Sequence, residues 1–167
     1  MSNEINVIIY ASDIGEGSRT AFHVALKEAI SHQAEIIYVH AVDKVNKITP
    51  DASHSLLPKN IEQSHSVQHK ESIISNVKNR INRFVTTEFS TLEAIPHFSI
   101  HIQFGSPEEV IVDASKQYNA GMIVMGNREV SALSRVFLGS TSHKVLQKSV
   151  VPVLIVPLVS TKSHKAN

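Results

Sequence analysis

The sequence predicts an α/β domain: a single open five-stranded parallel sheet with helices on both faces. Three observations carry that expectation. Short apolar runs rich in β-branched residues alternate with longer segments whose apolar residues recur at helical spacing. Most of those runs lack in/out alternation, as strands buried on both sides do. The length, 167 residues, suits one core.

The first strand is Ile5 to Ala11, broken only by Asn6 and followed by Gly15 and Gly17. Ala21, Phe22, Ala25, Leu26, Ala29 and Ile30 then give an amphipathic helix over Glu16 to His32. The second strand is Glu35 to Val42. Asp43 to Asn60, with Pro50 and Pro58, has no clean period and reads as a long loop. Ile74, Val77, Ile81, Phe84 and Val85 mark one face of a helix over Ile61 to Phe89.

After Pro96 the pattern alternates strictly. Phe98, Ile100, Ile102 and Phe104 face one way and His97, Ser99, His101 and Gln103 the other, which suits a strand at the sheet edge. Ser106-Pro107-Glu108-Glu109 has the form of a helix start: Ser106 as cap, Pro107 in the first turn, Glu109 closing a capping box. That helix runs to Tyr118 and ends at Asn119-Ala120-Gly121. Gly121 to Gly126 encloses the apolar fourth strand, and Gly139-Ser140-Thr141 opens a short helix to Lys148. The last strand is Val151 to Val156; Pro152 near its start and Pro157 past its end argue for an edge position.

In such a sheet ligands bind beyond the carboxyl ends of the strands, where strand order reverses. The first and fourth strands are expected to be neighbours there, so Ala11-Ser12-Asp13 and Met125-Gly126 are the candidate ends.

Composition excludes several classes. A net charge of +1 gives no nucleic-acid surface and no polybasic membrane patch. No apolar run approaches the ~20 residues needed to span a bilayer. The Met1-Ser2-Asn3-Glu4 start has no signal-peptide pattern. The absence of cysteine removes disulfides and thiolate sites and is compatible with a reducing cytoplasm, the expected location.

Three phosphate-binding patterns compete. Gly15-Glu16-Gly17-Ser18-Arg19-Thr20 is similar to a dinucleotide-binding turn, with Thr20 where the third glycine belongs and Asp43 as a ribose acid. Its bland alternative is a flexible turn. Gly121 to Asn127 has P-loop glycine spacing, but Asn127 replaces the lysine and the intervening residues are strand-like, so it is set aside. The third is Gly126-Asn127-Arg128-Glu129 followed, after nine residues, by Gly139-Ser140-Thr141. A glycine at a strand end admits a ligand to the backbone. A Gly-Ser helix start offers amides, a hydroxyl and the positive end of the helix dipole to phosphate oxygens.

This third pattern resembles the G-x2-G-x9-G-S/T motif of the ATP-binding branch of the universal stress protein family. The likeness extends to Val7-Ile8-Ile9-Tyr10-Ala11-Ser12-Asp13, to Tyr38-Val39-His40-Ala41-Val42-Asp43, and to Gly105-Ser106-Pro107-Glu108-Glu109-Val110-Ile111. Met122-Ile123-Val124-Met125-Gly126 and Val151-Pro152-Val153-Leu154-Ile155-Val156 complete it. The resemblance implies a Rossmann-like, adenine nucleotide alpha-hydrolase-like domain over residues 1–158, with 159–167 as a flexible tail. It also implies an adenine nucleotide, ATP or AMP, in a dimeric stress-response sensor or regulator. Ala11, Ser12, Asp13 and Ala41 would line the adenosine side, Met125 and Gly126 would meet the ribose or first phosphate, and Gly139, Ser140 and Thr141 would hold the outer phosphates with Mg2+. The homodimer would form through Val153 to Val156, covering an apolar edge.

Glu129 stands where the family's second glycine belongs, and its carboxylate would repel phosphate. Arg128 and Arg135 lie in the same loop and would partly balance it. The alternative is therefore a dimeric stress scaffold whose nucleotide site has degenerated. Catalysis has little support: there is no nucleophile elbow and no placed carboxylate pair, leaving at most slow ATP hydrolysis without a nameable base.

The ten histidines are dispersed. His65 and His69 have the i, i+4 spacing of zinc ligands but lack a third ligand, so a solvated helix face is expected. His97 and His101 share a strand face. His40, at a strand end, either approaches the base or sits at the core edge. Lys144 and Lys148 complement the negative end of the last helix.

Overall fold

The computed structural model describes residues 4–15, 17–43, 59–128 and 138–158, without the side chains of 59–66 and Arg128. Residues 44–58 of the expected 43–60 loop, Glu129 and Arg135, the side chain of His65 and the 159–167 tail lie outside these residues. Lys59 and Asn60, expected in that loop, already belong to the helix that follows.

The elements alternate as the periodicity predicts: β1 (Val7–Ala11), α1 (Ser18–His32), β2 (Glu35–Val42), α2 (Lys59–Phe89), β3 (Phe98–Phe104), α3 (Pro107–Gln117), β4 (Met122–Arg128), α4 (Ser140–Lys148) and β5 (Val153–Leu158). The strands form a five-stranded sheet in the order β3-β2-β1-β4-β5, and all four pairings are parallel. The order reverses between β1 and β4, which places the switch point beyond Ala11 and Met125, a registered pair.

Alternate residues of each strand feed two separate cores. On one face Ile8, Tyr10, Ile36 and Tyr38 pack with Phe22, Leu26, Ile81 and Val85 of α1 and α2. On the other Ile9, Ala11, Ile37, Val39, Ile123 and Met125 pack with Val110, Ile111 and Val145 of α3 and α4. This double coverage is why the strands read as continuous apolar runs. β3 lies at the sheet edge, as its alternation predicts, and is half-buried except at the exposed Gln103. Ser99 Oγ donates to Glu35 Oε1 at 3.2 Å, and His101 Nδ1 pairs with the Tyr118 hydroxyl at 3.0 Å on its polar face.

Two local features differ from expectation, and one helix end has unusual geometry. β5 lies two residues later than predicted and contains Pro157, paired in register with Asn127. An edge strand bonds on one side only, so a proline there need not remove a ladder bond. Second, Ser106 has cap geometry at φ −67° and ψ 136°, yet its side chain makes no capping bond. Its carbonyl accepts from Val110 N at 3.0 Å, so Pro107 and the backbone start α3 without the capping box. The helix end is that of α1, which closes on Gln33 in the left-handed region at φ 54°, where glycine is the usual residue.

Candidate functional site

A cavity of about 450 Å³ opens at the switch point, and all nine residues singled out from the sequence line it: Ala11, Ser12, Asp13, Ala41, Met125, Gly126, Gly139, Ser140 and Thr141. The end of β4 and the start of α4 thus converge beside the loop that leaves β1. Val39, Pro107 and Ile111 extend the apolar wall on the β2 and α3 side. Asn127 and Ser142 complete the polar end.

The β1–α1 loop is short and heavily tied. Ser12 Oγ accepts from Ile14 N at 3.0 Å, and Asp13 Oδ1 accepts from Gly15 N at 3.0 Å. These are side-chain turns that replace the ladder once β1 ends. Between them Ile14 sits at φ 60°. A β-branched residue in the left-handed region costs about 1–2 kcal/mol, so its surroundings must hold it there.

At the opposite wall, Gly139 is the N-cap of α4, and its carbonyl accepts from His143 N at 2.9 Å. The first amides of a helix have no intrahelical acceptor. The α4 start therefore presents donors and a positive dipole end to the cavity, and its first turn carries no acidic residue. Asn127 Oδ1 accepts the Gly139 amide at 2.8 Å, which ties the helix start to the tip of β4. Asn127 and the buried Ser142 are among the polar contributors that the sequence reading did not assign to the site, as Val39, Pro107 and Ile111 are among the apolar ones. The one available signal was a polar amide at the carboxyl end of an otherwise apolar strand.

Ion pairs brace the elements around the cavity. Lys144 Nζ lies 2.9 Å from Glu108 Oε1, joining α4 to the first turn of α3. The Lys144 bond is the largest influence on Glu108 and helps to hold its carboxyl below the usual range. On the other face Arg19 Nε lies 2.9 Å from Glu88 Oε1, and His23 Nε2 also bonds Glu88. Tyr10 donates its hydroxyl to Ser18 O at 2.8 Å, two residues that also line the cavity, and burial raises its pKa and that of Tyr38.

The competing patterns fare differently. Gly15 and Gly17 are absent from the cavity wall, to which that turn contributes Ser18. Met122 to Gly126 is strand, as expected for a segment that is no P-loop. Lys148 lies in the last turn of α4, as expected for a residue complementing its negative end. Among the described residues no three His, Cys, Asp or Glu side chains come together as a metal group, and no helix is long and apolar enough to cross a membrane.

The model of the Universal stress protein family matches residues 4–157. The universal stress protein YxiE of Bacillus subtilis (strain 168) is 30% identical over 161 residues, spanning 93% of this chain and 99% of its own. Among solved structures, the universal stress protein UspA from Lactobacillus plantarum superposes with a TM-score of 0.64 at 23% identity, covering 92% of this chain and 98% of its own. A universal stress protein solved in complex with cAMP superposes at 0.55 with 17% identity, covering 93% of this chain and 99% of its own.

Proposed function

The chain belongs to the universal stress protein family, and on that premise we propose that it binds an adenine nucleotide, ATP or AMP, in the cavity between β1 and β4. The observation that carries the reading is the facing of two unlike walls across one cavity. Apolar Ala11, Val39, Ala41 and Met125 offer a slot for a flat base, while the α4 start offers unpaired amides for phosphate. A volume of about 450 Å³ falls within the ordinary range of small-molecule sites, roughly 300–1,000 Å³. A related fold solved with cAMP adds support for an adenine nucleotide of some kind.

In this reading Asp13 and Ser12 meet the adenosine, Met125 and Gly126 the ribose or first phosphate, and Ser140 and Thr141 the outer phosphates. Mg2+ would enter with those phosphates. The protein acts as a sensor or regulator in the cytoplasm, and no residue is assigned to catalysis. Isothermal titration with ATP and Mg2+ is the test: saturable heat at micromolar to millimolar ligand supports the reading, and none at high protein concentration overturns it.

The second reading, a scaffold with a degenerated site, draws on Glu129 in the glycine motif. A large gain in ATP affinity on Glu129→Gly would favour it.

The same proposal includes a homodimer through β5. Among the described residues that strand pairs only with β4 in the sheet, and just before it Val150 is 80% exposed and Leu146 44%. An unpaired edge beside exposed apolar side chains suits strand addition by a second copy. Sedimentation velocity showing only monomer at micromolar concentration would remove this part.

A further inference from the structure

His40 stands on β2 one residue beyond the last β1–β2 register pair, Ala11 with Val39. Past that pair β1 leaves the sheet, and the Ser12 amide makes the last ladder bond, to Val39 O at 3.2 Å. The Ser12 carbonyl is taken by a side chain instead: His40 Nδ1 lies 2.8 Å from Ser12 O. A carbonyl oxygen only accepts, so Nδ1 carries the proton and the imidazole is the donor. Both backbone groups of Ser12 are therefore anchored to β2, one by the strand and one by His40.

Next to this anchor the loop is strained at Ile14, φ 60°, and is folded by the Ser12 and Asp13 side-chain turns. Strain of this kind persists where neighbouring bonds over-determine the backbone. His40 itself is not part of the cavity wall, whereas Ser12 and Asp13 are. Its influence on a ligand must pass through them.

We infer that His40 is a positioning residue: its Nδ1–H bond to the Ser12 carbonyl fixes the Ser12–Asp13 wall in the shape that receives the adenosine part of the ligand. This rests on the nucleotide reading for its ligand but not for its hydrogen bond. The role needs a neutral donor at one point in space, which an asparagine amide also supplies. It does not need the imidazole's charge.

The experiment compares wild type, His40→Asn and His40→Phe by calorimetric titration with AMP and by thermal melting, and records imidazole 15N shifts of the wild-type protein. The expected result is an affinity loss of about tenfold or more in His40→Phe and recovery to within about threefold of wild type in His40→Asn, even if both variants melt alike. Equal losses in the two variants would overturn the inference. So would a wild-type spectrum placing the proton on Nε2, a measurement that stands even where His40→Phe fails to fold. If wild type binds no AMP or ATP, the nucleotide reading fails. The anchor is then judged on the 15N tautomer and on amide exchange at Ile14 and Gly15, which must quicken in His40→Phe and not in His40→Asn.

Discussion

Gly126 lies so close to Leu158 that a Cβ built on it would stand 2.6 Å from Leu158 Cδ1 and 2.9 Å from its Cγ. The sequence motif suggests that glycine is needed at 126 for a ligand. The fold supplies a second reason, independent of any ligand, because Leu158 at the end of β5 fills the space where a side chain would go.

Gly126→Ala is therefore expected to destabilise the protein by about 1–3 kcal/mol through overpacking. Leu158→Ala alone costs stability through the cavity it leaves. In the double variant the new methyl enters the space vacated by the leucine, so the two losses should be less than additive by about 1 kcal/mol or more. Urea denaturation of the four proteins measures this. Strict additivity would mean that Leu158 is not what excludes a side chain at 126. Nucleotide affinity that stays low in the double variant would show that the ligand also needs the glycine.

Asn127 and Gly139 form the joint between β4 and α4, with the amide oxygen accepting Gly139 N at 2.8 Å. Asn127→Ala leaves that part-buried N–H without its acceptor and should cost about 1 kcal/mol. Asn127→Asp keeps an acceptor but adds a negative charge at the polar end of the cavity. Its melting temperature should stay close to wild type. Its affinity for ATP should fall about tenfold or more while its affinity for adenosine barely changes, as repulsion of phosphate requires. Equal losses for ATP and adenosine would place the phosphates elsewhere.

Gln33 ends α1 at φ 54° and ψ 37°, with its own amide bonded to Ile30 O at 3.3 Å and that of Ala34 to Ala29 O at 2.8 Å. The turn is one that glycine enters without a Cβ penalty. The Gln33 side chain is exposed, so little packing is lost by removing it. Gln33→Gly should raise stability by about 0.5–1 kcal/mol, read as a higher urea midpoint at unchanged slope. A fall in the midpoint would mean that the side chain contributes contacts beyond its backbone strain.

The architecture was legible because each strand advertises its burial. Ile5 to Ala11 reads as a run covered on both sides, and His97 to Phe104 alternates because β3 is an edge. The cavity wall was legible for the same reason, since ligand sites in this topology follow strand ends and helix starts. What stayed hidden depends on partners distant in sequence. Asn127 meets Gly139 only once α4 is docked beside the tip of β4, and Gly126 meets Leu158 only once β5 is in register. Pro157 reads as a stop signal, yet an edge strand tolerates it. Glu88 pairs with bases 65 and 69 positions away, which no periodicity reveals.

That last cluster sets an acid dependence. Glu88 is only 4% exposed, and Arg19 and His23 of α1 both bond its carboxylate from across the helix pair. Burial alone would raise its pKa; the His23 and Arg19 hydrogen bonds and the Arg19 charge together outweigh burial and hold it below the ordinary glutamate value. A depressed folded-state pKa contributes stability above the unfolded value, about 4.3, and that contribution is lost as pH falls through the folded value. Glu88→Gln keeps the shape and loses the charge, so at neutral pH it should destabilise by about 2 kcal/mol. Because glutamine does not titrate, this deficit should shrink as pH is lowered through the acid range, and the two stability curves should converge. Urea denaturation of both proteins between pH 7 and the acid limit, roughly pH 3, provides the comparison. A deficit that is constant across that range would show that the carboxylate's charge is not what joins α1 to α2.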